Sequence, residues 1–396
     1  MKLIFFVESY VSGGSDKVAN ILLKNLNFKE IILIINKRSD TKLILKNLDD
    51  KKVKIVKYSL ITPAEIHNFV YKFRNYNIGY FFIKIISQLL IYPLLLFSVF
   101  YFYLVFKKLK ASLFFSHNGG HPGGLFNGTA LIASTIISNI KYRYYAYHSN
   151  PVRYRLYLIF FDYFWDRIIE KSSKIITISH EASKNLKKLR FFKKTPTVIY
   201  NGIEKNKIKN YCSSQKLKIL HVGYFDKNKN QILLLKSLKI LIENSITDIH
   251  LTFIGATLDK NEKRNFQKFI LKNNLTNYVT IKGFTENIKP YYYENDLLIC
   301  TSFVEGFPMS ILEAMSIGLP IISTKAGGTV EQVDDGVNGF LVETNNPLEL
   351  SRKIKYFVDD KNEIIKMGNA SFKKFNLNFE IKKMVDNYNL LLKDKL

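Results

Sequence analysis

Short apolar runs alternate with longer segments of helical periodicity almost from one end of the chain to the other. Strands buried on both faces read as near-continuous apolar runs, and their alternation with helices is the pattern of open parallel sheets covered by helices. The first half predicts strands at Lys2 to Val7, Ile31 to Asn36, Val53 to Tyr58, Ser112 to His117, Tyr142 to His148, Lys174 to Ser179 and Thr197 to Tyr200. The second half predicts them at Lys216 to Val222, His250 to Ile254, Val279 to Lys282, Asp296 to Thr301, Pro320 to Thr324 and Gly339 to Val342. Between the two sets, residues 201–215 are polar and aperiodic and read as a linker joining domains of residues 1–200 and 216–377. Near the end, Phe379, Ile381, Met384, Val385, Tyr388 and Leu391 recur at helical spacing, so residues 378–396 predict a helix that packs back across the domains.

Residues 79–106 break the pattern. From Ile85 to Phe106 the chain carries 22 residues without a charge, followed by Lys107, Lys108 and Lys110. That length could cross a hydrocarbon core. A single crossing would, however, place the strands before and after it on opposite sides of the membrane and split one sheet. Two arrangements avoid this: a helical hairpin broken near Pro93, or a helix lying in the membrane interface with the three lysines on anionic lipid. A helix buried under the first sheet and against a partner chain is the plainer alternative.

A chain of 396 residues suits two domains, and 47% hydrophobic with 23% charged residues is a globular balance. The formal charge of +26 is carried by interspersed lysines without an arginine-rich arm, which argues against a nucleic-acid partner and leaves two readings open: attraction to nucleotide diphosphates and an anionic membrane surface, or background composition. Cys212 and Cys300 are the only cysteines, too few for a disulfide framework, so a reducing compartment is expected. MKLIFFVESY has too short an apolar stretch for a signal peptide and reads as a first buried strand.

Four places could carry chemistry. Ser12, Gly13, Gly14 and Ser15 follow the first strand, where glycines let the backbone approach a phosphate at a helix start. Glu305 and Glu313 flank a loop and a helix start after the strand ending near Thr301; the carboxylates could hold sugar or ribose hydroxyls, and the N–H groups of Met309, Ser310 and Ile311 a phosphate. Lys229, past the first strand of the second domain, could neutralise a departing diphosphate. His117, Asn118 and His148 stand at strand ends in the first domain; the loop after His117 carries glycines 119, 120, 123 and 124. No Asp-x-Asp after a strand, HExxH, paired CxxC or GxxxxGK[ST] occurs, so neither a metal site nor a P-loop is indicated.

The run EGFPMSILEAMSIGLPIIST, with AGGTVEQVDDGVNGFLV after it, resembles the retaining glycosyltransferase group 4 family, especially members acting in bacterial surface polysaccharide synthesis. The resemblance implies the α/β GT-B fold, two Rossmann-like parallel-sheet domains facing each other across a donor-binding cleft. It implies a sugar moved from a nucleotide-diphosphate donor, with UDP-sugar favoured, to a glycan or a polyprenyl- or lipid-linked acceptor in lipopolysaccharide, O-antigen or capsule synthesis. Neither cofactor nor metal is implied. Carried over by motif, Glu305 contacts the donor sugar, Glu313 the ribose, Pro308 to Ile311 the diphosphate, and Lys229 the leaving group. Gly13 and Gly14 match the family's N-terminal glycine loop, Gly223 its VG motif, His148 its histidine near sugar and acceptor, and Asn201 to Ile203 its hinge signature. Tyr224 stands where the family often has arginine, and Lys227 sits at a different spacing. A cytoplasmic protein, peripheral or monotopic on the inner face of the cell membrane, is expected. Another enzyme on this fold, a phosphorylase or nucleotide-sugar epimerase, stays open. So does a non-catalytic nucleotide-sugar-binding or scaffold protein of a membrane assembly.

Overall fold

The computed structural model describes residues 2–9, 13–73, 77–119, 124–154, 159–211 and 215–393, and divides into two units. Ser12, Gly120, Gly123 and Cys212, singled out above, lie outside the described residues.

The first unit comprises residues 1–199 and 385–396. Its chain runs β1 (Lys2–Glu8), α1 (Gly14–Asn25), β2 (Glu30–Asn36), α2 (Lys42–Leu45), β3 (Val53–Tyr58), α3 (Pro63–Tyr71), α4 (Asn77–Lys107), β4 (Leu113–Asn118), α5 (Leu125–Ile136), β5 (Tyr142–Tyr147), α6 (Ile159–Ser172), β6 (Lys174–Thr177), α7 (His180–Arg190) and β7 (Thr197–Val198). The strands pair in parallel in the order β3-β2-β1-β4-β5-β6-β7. The second unit, residues 200–384, contains β8 (Leu217–Val222), α8 (Gln231–Glu243), β9 (Ile249–Ile254), α9 (Lys260–Lys272), β10 (Val279–Lys282), α10 (Lys289–Glu294), β11 (Leu297–Cys300), α11 (Met309–Met315), β12 (Ile321–Thr324), α12 (Thr329–Gln332), β13 (Gly339–Val342), α13 (Pro347–Asp359) and α14 (Asn362–Asn378). Its parallel order is β10-β9-β8-β11-β12-β13. These are the two Rossmann-like sheets of the GT-B fold, and each predicted strand is found within about two residues of its expected ends.

Both strand orders contain one reversal, between β1 and β4 in the first sheet and between β8 and β11 in the second. At such a reversal the connections on either side diverge, opening a crevice beyond the carboxyl ends of the two strands. The four strands there are mostly buried, apolar except for Lys2, Glu8, Ser116, His117, Asn118, Lys218 and His221, so polar side chains at and after their ends are presented at the crevice by a rigid base.

Residues 79–106 lie within one continuous helix, α4, and no hairpin forms at Pro93. Proline removes one helical hydrogen bond, but the flanking turns are held by packing. Leu95, Phe102 and Phe106 are buried, and Phe102 meets Phe6, Tyr58 and Phe126 edge-on at 5.1, 5.0 and 6.1 Å between ring centres. Since β3 and β4 belong to one sheet, α4 connects strands on the same side of any membrane.

Residues 201–211 are no free linker. Gly202 N donates to Met384 Sδ at 3.1 Å, Lys209 N to the Ile317 carbonyl at 2.8 Å, and Lys209 Nζ to Asp296 at 2.9 Å, all within the second unit. The last helix, α15 (Ile381–Lys393), begins after Phe379, which caps α14. Its Tyr388 and Leu391 are buried in the first unit, where Tyr144 donates to the Leu391 carbonyl at 3.0 Å.

Candidate functional site

In the second unit, β8 and β11 end at the reversal, and the loops after them are zipped together. Phe303 N donates to the Asn228 carbonyl at 2.8 Å, and Val304 N to Asn228 Oδ1 at 3.0 Å. Between these loops Lys229 Nζ meets Glu305 Oε1 at 2.5 Å. The lysine stem runs close over Gly223: a Cβ there would lie 3.1 Å from Lys229 Cδ, a tight contact that glycine avoids. Lys229 N is anchored on Asp226 Oδ1 at 2.8 Å, and its carbonyl accepts from Thr301 Oγ1 at 2.8 Å. Burial by itself would favour neutral lysine, but the Glu305 carboxylate overrides it and holds the ammonium well above the usual lysine range.

Glu305 is fixed in turn. The fully buried Ser302 donates to Glu305 Oε1 at 2.6 Å, and the Ser302 carbonyl accepts from Thr324 Oγ1 at 2.5 Å. Lys229 Nζ and Ser302 Oγ both contact Oε1 of this carboxylate, and Oε2 is its second acceptor. Gly306 is approached so closely by Gly328 that a Cβ on the latter would fall 2.0 Å from the Gly306 carbonyl oxygen. Pro308 then caps the seven-residue α11 without a side-chain hydrogen bond, which leaves the N–H groups of Met309, Ser310 and Ile311 at the helix start. Glu313, half-buried in α11, accepts from the buried Tyr292 hydroxyl at 2.7 Å.

In the first unit, the ends of β1 and β4 carry a buried polar cluster. His117 and His148 stack with ring centres 3.9 Å apart. His117 Nε2 lies 2.9 Å from the Ser15 carbonyl; a carbonyl only accepts, so this nitrogen carries the proton and Nδ1 is left as an acceptor. Nδ1 has no hydrogen-bond partner among the described residues. Gly13 N lies 3.4 Å from Asp16 Oδ2, which also accepts from Ser9 Oγ at 2.8 Å, so the glycine turn is tied to the start of α1. A Cβ at Gly119 would stand 2.8 Å from Ser15 Oγ, so glycine there lets the chain after β4 pass close to the first turn of α1. Asn118 donates to the Tyr145 hydroxyl at 3.2 Å, and its carbonyl accepts from His148 N at 2.9 Å.

Residues 202–374 match the family described as Glycosyl transferases group 1. The second unit carries a group 1 glycosyl transferase domain. The chain is 31% identical over 225 residues to an uncharacterized glycosyltransferase of Methanocaldococcus jannaschii, covering 56% of this chain and 60% of that protein. It is 28% identical to the capsular polysaccharide biosynthesis glycosyltransferase CapH of Staphylococcus aureus, over 46% of this chain and 50% of that one. The match thus spans about half to three fifths of these relatives' length. Among solved structures, a glycosyltransferase from Rickettsia africae superposes with a TM-score of 0.74 at 17% identity, covering 99% of this chain and 98% of that one. HepE of Anabaena, solved in complex with UDP, gives 0.74 at 19% identity over the whole of both chains.

Within the second unit, the structure pairs Lys229 with Glu305 and sets the Lys229 stem beside Gly223; Pro308 ends the loop that follows Glu305, Met309 to Ile311 form the first turn of α11, and Glu313 engages Tyr292. In the first unit, His117, Asn118 and His148 are in contact, and Gly13 and Gly14 lead into the start of α1, whose Ser15 carbonyl His117 meets. Lys227 is exposed. Residue-by-residue reading missed Ser302, Tyr292 and Asp226, which act on the named residues through side chains rather than through a motif. It also missed the buried Glu8, whose Oε2 accepts from Phe126 N at 2.9 Å; a lone acid at the end of an apolar strand was its signal.

Two buried histidines make acid sensitivity predictable. Burial pushes His117 down to about 4, and burial together with the Lys229 charge pushes His221 of the second unit down to about 3. Both are neutral when folded, so the unfolded chain binds more protons below its histidine value of about 6.5, and stability falls as pH drops from there towards these lower values. Each contributes up to about 3 kcal/mol of this loss. Urea titrations from pH 7 to 4 should show His117→Asn flattening the pH dependence of the first unit and leaving that of the second; equal slopes with and without the substitution would contradict the burial argument.

Proposed function

We propose that this protein is a retaining, metal-independent glycosyltransferase of the group 4 type, moving a sugar from a nucleotide-diphosphate donor, UDP-sugar favoured, to a glycan or lipid-linked acceptor. The setting is bacterial surface polysaccharide synthesis, on the cytoplasmic face of the membrane. The observation that carries the reading is the Lys229–Glu305 pair at the carboxyl edge of β8 and β11, a fixed cation beside a fixed carboxylate. The capsular polysaccharide role of CapH and the UDP bound to HepE support the acceptor class and the donor nucleotide.

In this mechanism the bond from the anomeric carbon to the diphosphate oxygen breaks as the acceptor hydroxyl bonds to the same face, and the departing diphosphate takes the hydroxyl proton. Negative charge grows on the leaving oxygen. Lys229, held cationic, and the N–H groups of Met309 to Ile311 oppose that charge. Glu305 holds the sugar through Oε2 while Ser302 and Lys229 keep its other oxygen still. Glu313 takes the ribose hydroxyls, with Tyr292 fixing its rotamer. In the first unit, the Gly13 and Gly14 turn offers backbone N–H groups for a phosphate, and His148, with His117 and Asn118 beside it, offers polar groups for an acceptor.

The test is a thermal-shift series with UDP, GDP, ADP and CMP on the wild type, Glu313→Ala and Gly255→Ala. A hundredfold excess over Kd stabilises by about 2.7 kcal/mol, so a shift with UDP is expected. A Cβ at position 255 would fall 1.9 Å from the Gly223 carbonyl oxygen and push the strand end that seats Lys229. Gly255→Ala and Glu313→Ala should therefore each weaken UDP binding by tenfold or more. A nucleotide shift unchanged in both variants would put the donor elsewhere.

A further inference from the structure

We propose that the groove on the outer side of α4, α5 and α6 holds an acyl chain of an anionic membrane phospholipid. This rests on the membrane-surface part of the proposed function and names the site and the ligand. The groove has a volume of about 550 Å³, within the range of small-molecule sites, and its walls include Leu96, Phe100, Tyr103, Ile136, Phe164 and Trp165. Its lining is almost wholly carbon, so a sugar, nucleotide or peptide would lose its hydration without gaining partners. A hydrocarbon loses nothing there.

The rim is as apolar as the floor. Leu96 is 75% exposed, Phe164 64%, Ile136 59% and Phe100 58%. Phe97 and Leu104 continue the exposed apolar surface along α4. Isolated exposed apolar residues are ordinary, whereas a contiguous set around a formed groove marks a binding surface.

Charge selects the lipid. Lys107, Lys108 and Lys110 are exposed at the end of α4, and Lys107 Nζ stands 5.9 Å from the centre of the Tyr103 ring, which itself lines the groove. A chain lying in the groove would thus have cations at one end for an anionic headgroup. One inserted chain binds a membrane only marginally, and a basic patch beside it supplies the second contribution that stable attachment needs.

Trp165 is the only tryptophan of the chain and it lines the groove, so its fluorescence reports on the site without a label. Full-length protein is mixed with phosphatidylglycerol vesicles whose acyl chains are either plain or brominated at mid-chain. The expected result is quenching of Trp165 emission by the brominated vesicles alone, reduced at least fivefold in Leu96→Asp/Phe100→Asp. Replacing Lys107, Lys108 and Lys110 by glutamine should weaken vesicle binding tenfold or more. Leu96 and Phe100 are exposed, so these substitutions leave the fold intact, which circular dichroism checks. Vesicle binding without quenching, no vesicle binding, quenching that persists in the double variant, or self-association that shields Trp165 in place of lipid would each overturn the proposal. UDP binding, read by thermal shift in the second unit, is expected to survive any of these outcomes and separates failure of this inference from failure of the donor reading.

Discussion

Lys229→Met is expected to lower turnover by about 10²–10³-fold, the effect of removing one fixed donor that meets charge developing in a transition state. Glu305→Gln should cut turnover to a similar extent while keeping the shape of the site. The two are not independent. Lys229 Nζ and Ser302 Oγ both lie on Glu305 Oε1, so each single change also releases the partner. The double variant should therefore fall little below the worse single one, a coupling that additive losses would rule out. Rates of UDP release from a UDP-sugar, measured with and without acceptor, give the comparison.

Stability should follow a different order. Either single change leaves one charge of a largely buried pair uncompensated; since the side chains are 20% and 12% exposed, the cost is about 1–2 kcal/mol, less than for a fully buried pair. The double variant, with no buried charge remaining, should recover part of it. A variant that loses activity and regains stability separates a chemical role from a structural one.

Arg190→Met is expected to cost the first unit about 3–5 kcal/mol, the range for breaking a buried ion pair from one side. Arg190 is 2% exposed. Its Nε bonds Asp166 at 2.7 Å, Nη1 lies 3.6 Å from Asp162, and its guanidinium carbon sits 3.9 Å from the centre of the Tyr154 ring. Tyr154 in turn donates to the Arg190 carbonyl at 2.7 Å. These contacts fasten α6 to α7, so the loss should appear in urea unfolding as an early transition of the first unit. Asp166→Asn placed on Arg190→Met should restore part of the stability by removing a stranded charge. If the single substitution costs under about 1 kcal/mol, the buried-pair argument does not hold.

Local periodicity was enough to find the strands, because a strand in a doubly covered parallel sheet must be apolar on both faces and few other elements are short and uniformly apolar. The same argument left Pro93 undecided between a hairpin and a continuous helix. A proline in an apolar run marks a break only when nothing across the sheet outweighs the lost hydrogen bond, and Phe102 packing on Phe6, Tyr58 and Phe126 is visible only in three dimensions. Residues 201–211 looked like a linker because their anchors, Met384, Ile317 and Asp296, are about 90 to 180 residues away in sequence.

By itself the sequence determined two parallel sheets, their strands, and the residue types that follow the strands: Gly13, His117, His148, Lys229, Glu305 and Glu313. These are properties of short windows, set by burial and turn chemistry. Only the tertiary structure decided which of them meet. The order of strands puts the β8 and β11 ends side by side although 74 residues separate Val222 from Leu297, and that adjacency joins Lys229 to Glu305 and lets Ser302 hold the carboxylate. It likewise stacked His117 on His148 and set Ile136 and Trp165 beside α4, because side-chain contact depends on which strands and helices are neighbours, and pairing across long stretches of chain leaves no local trace.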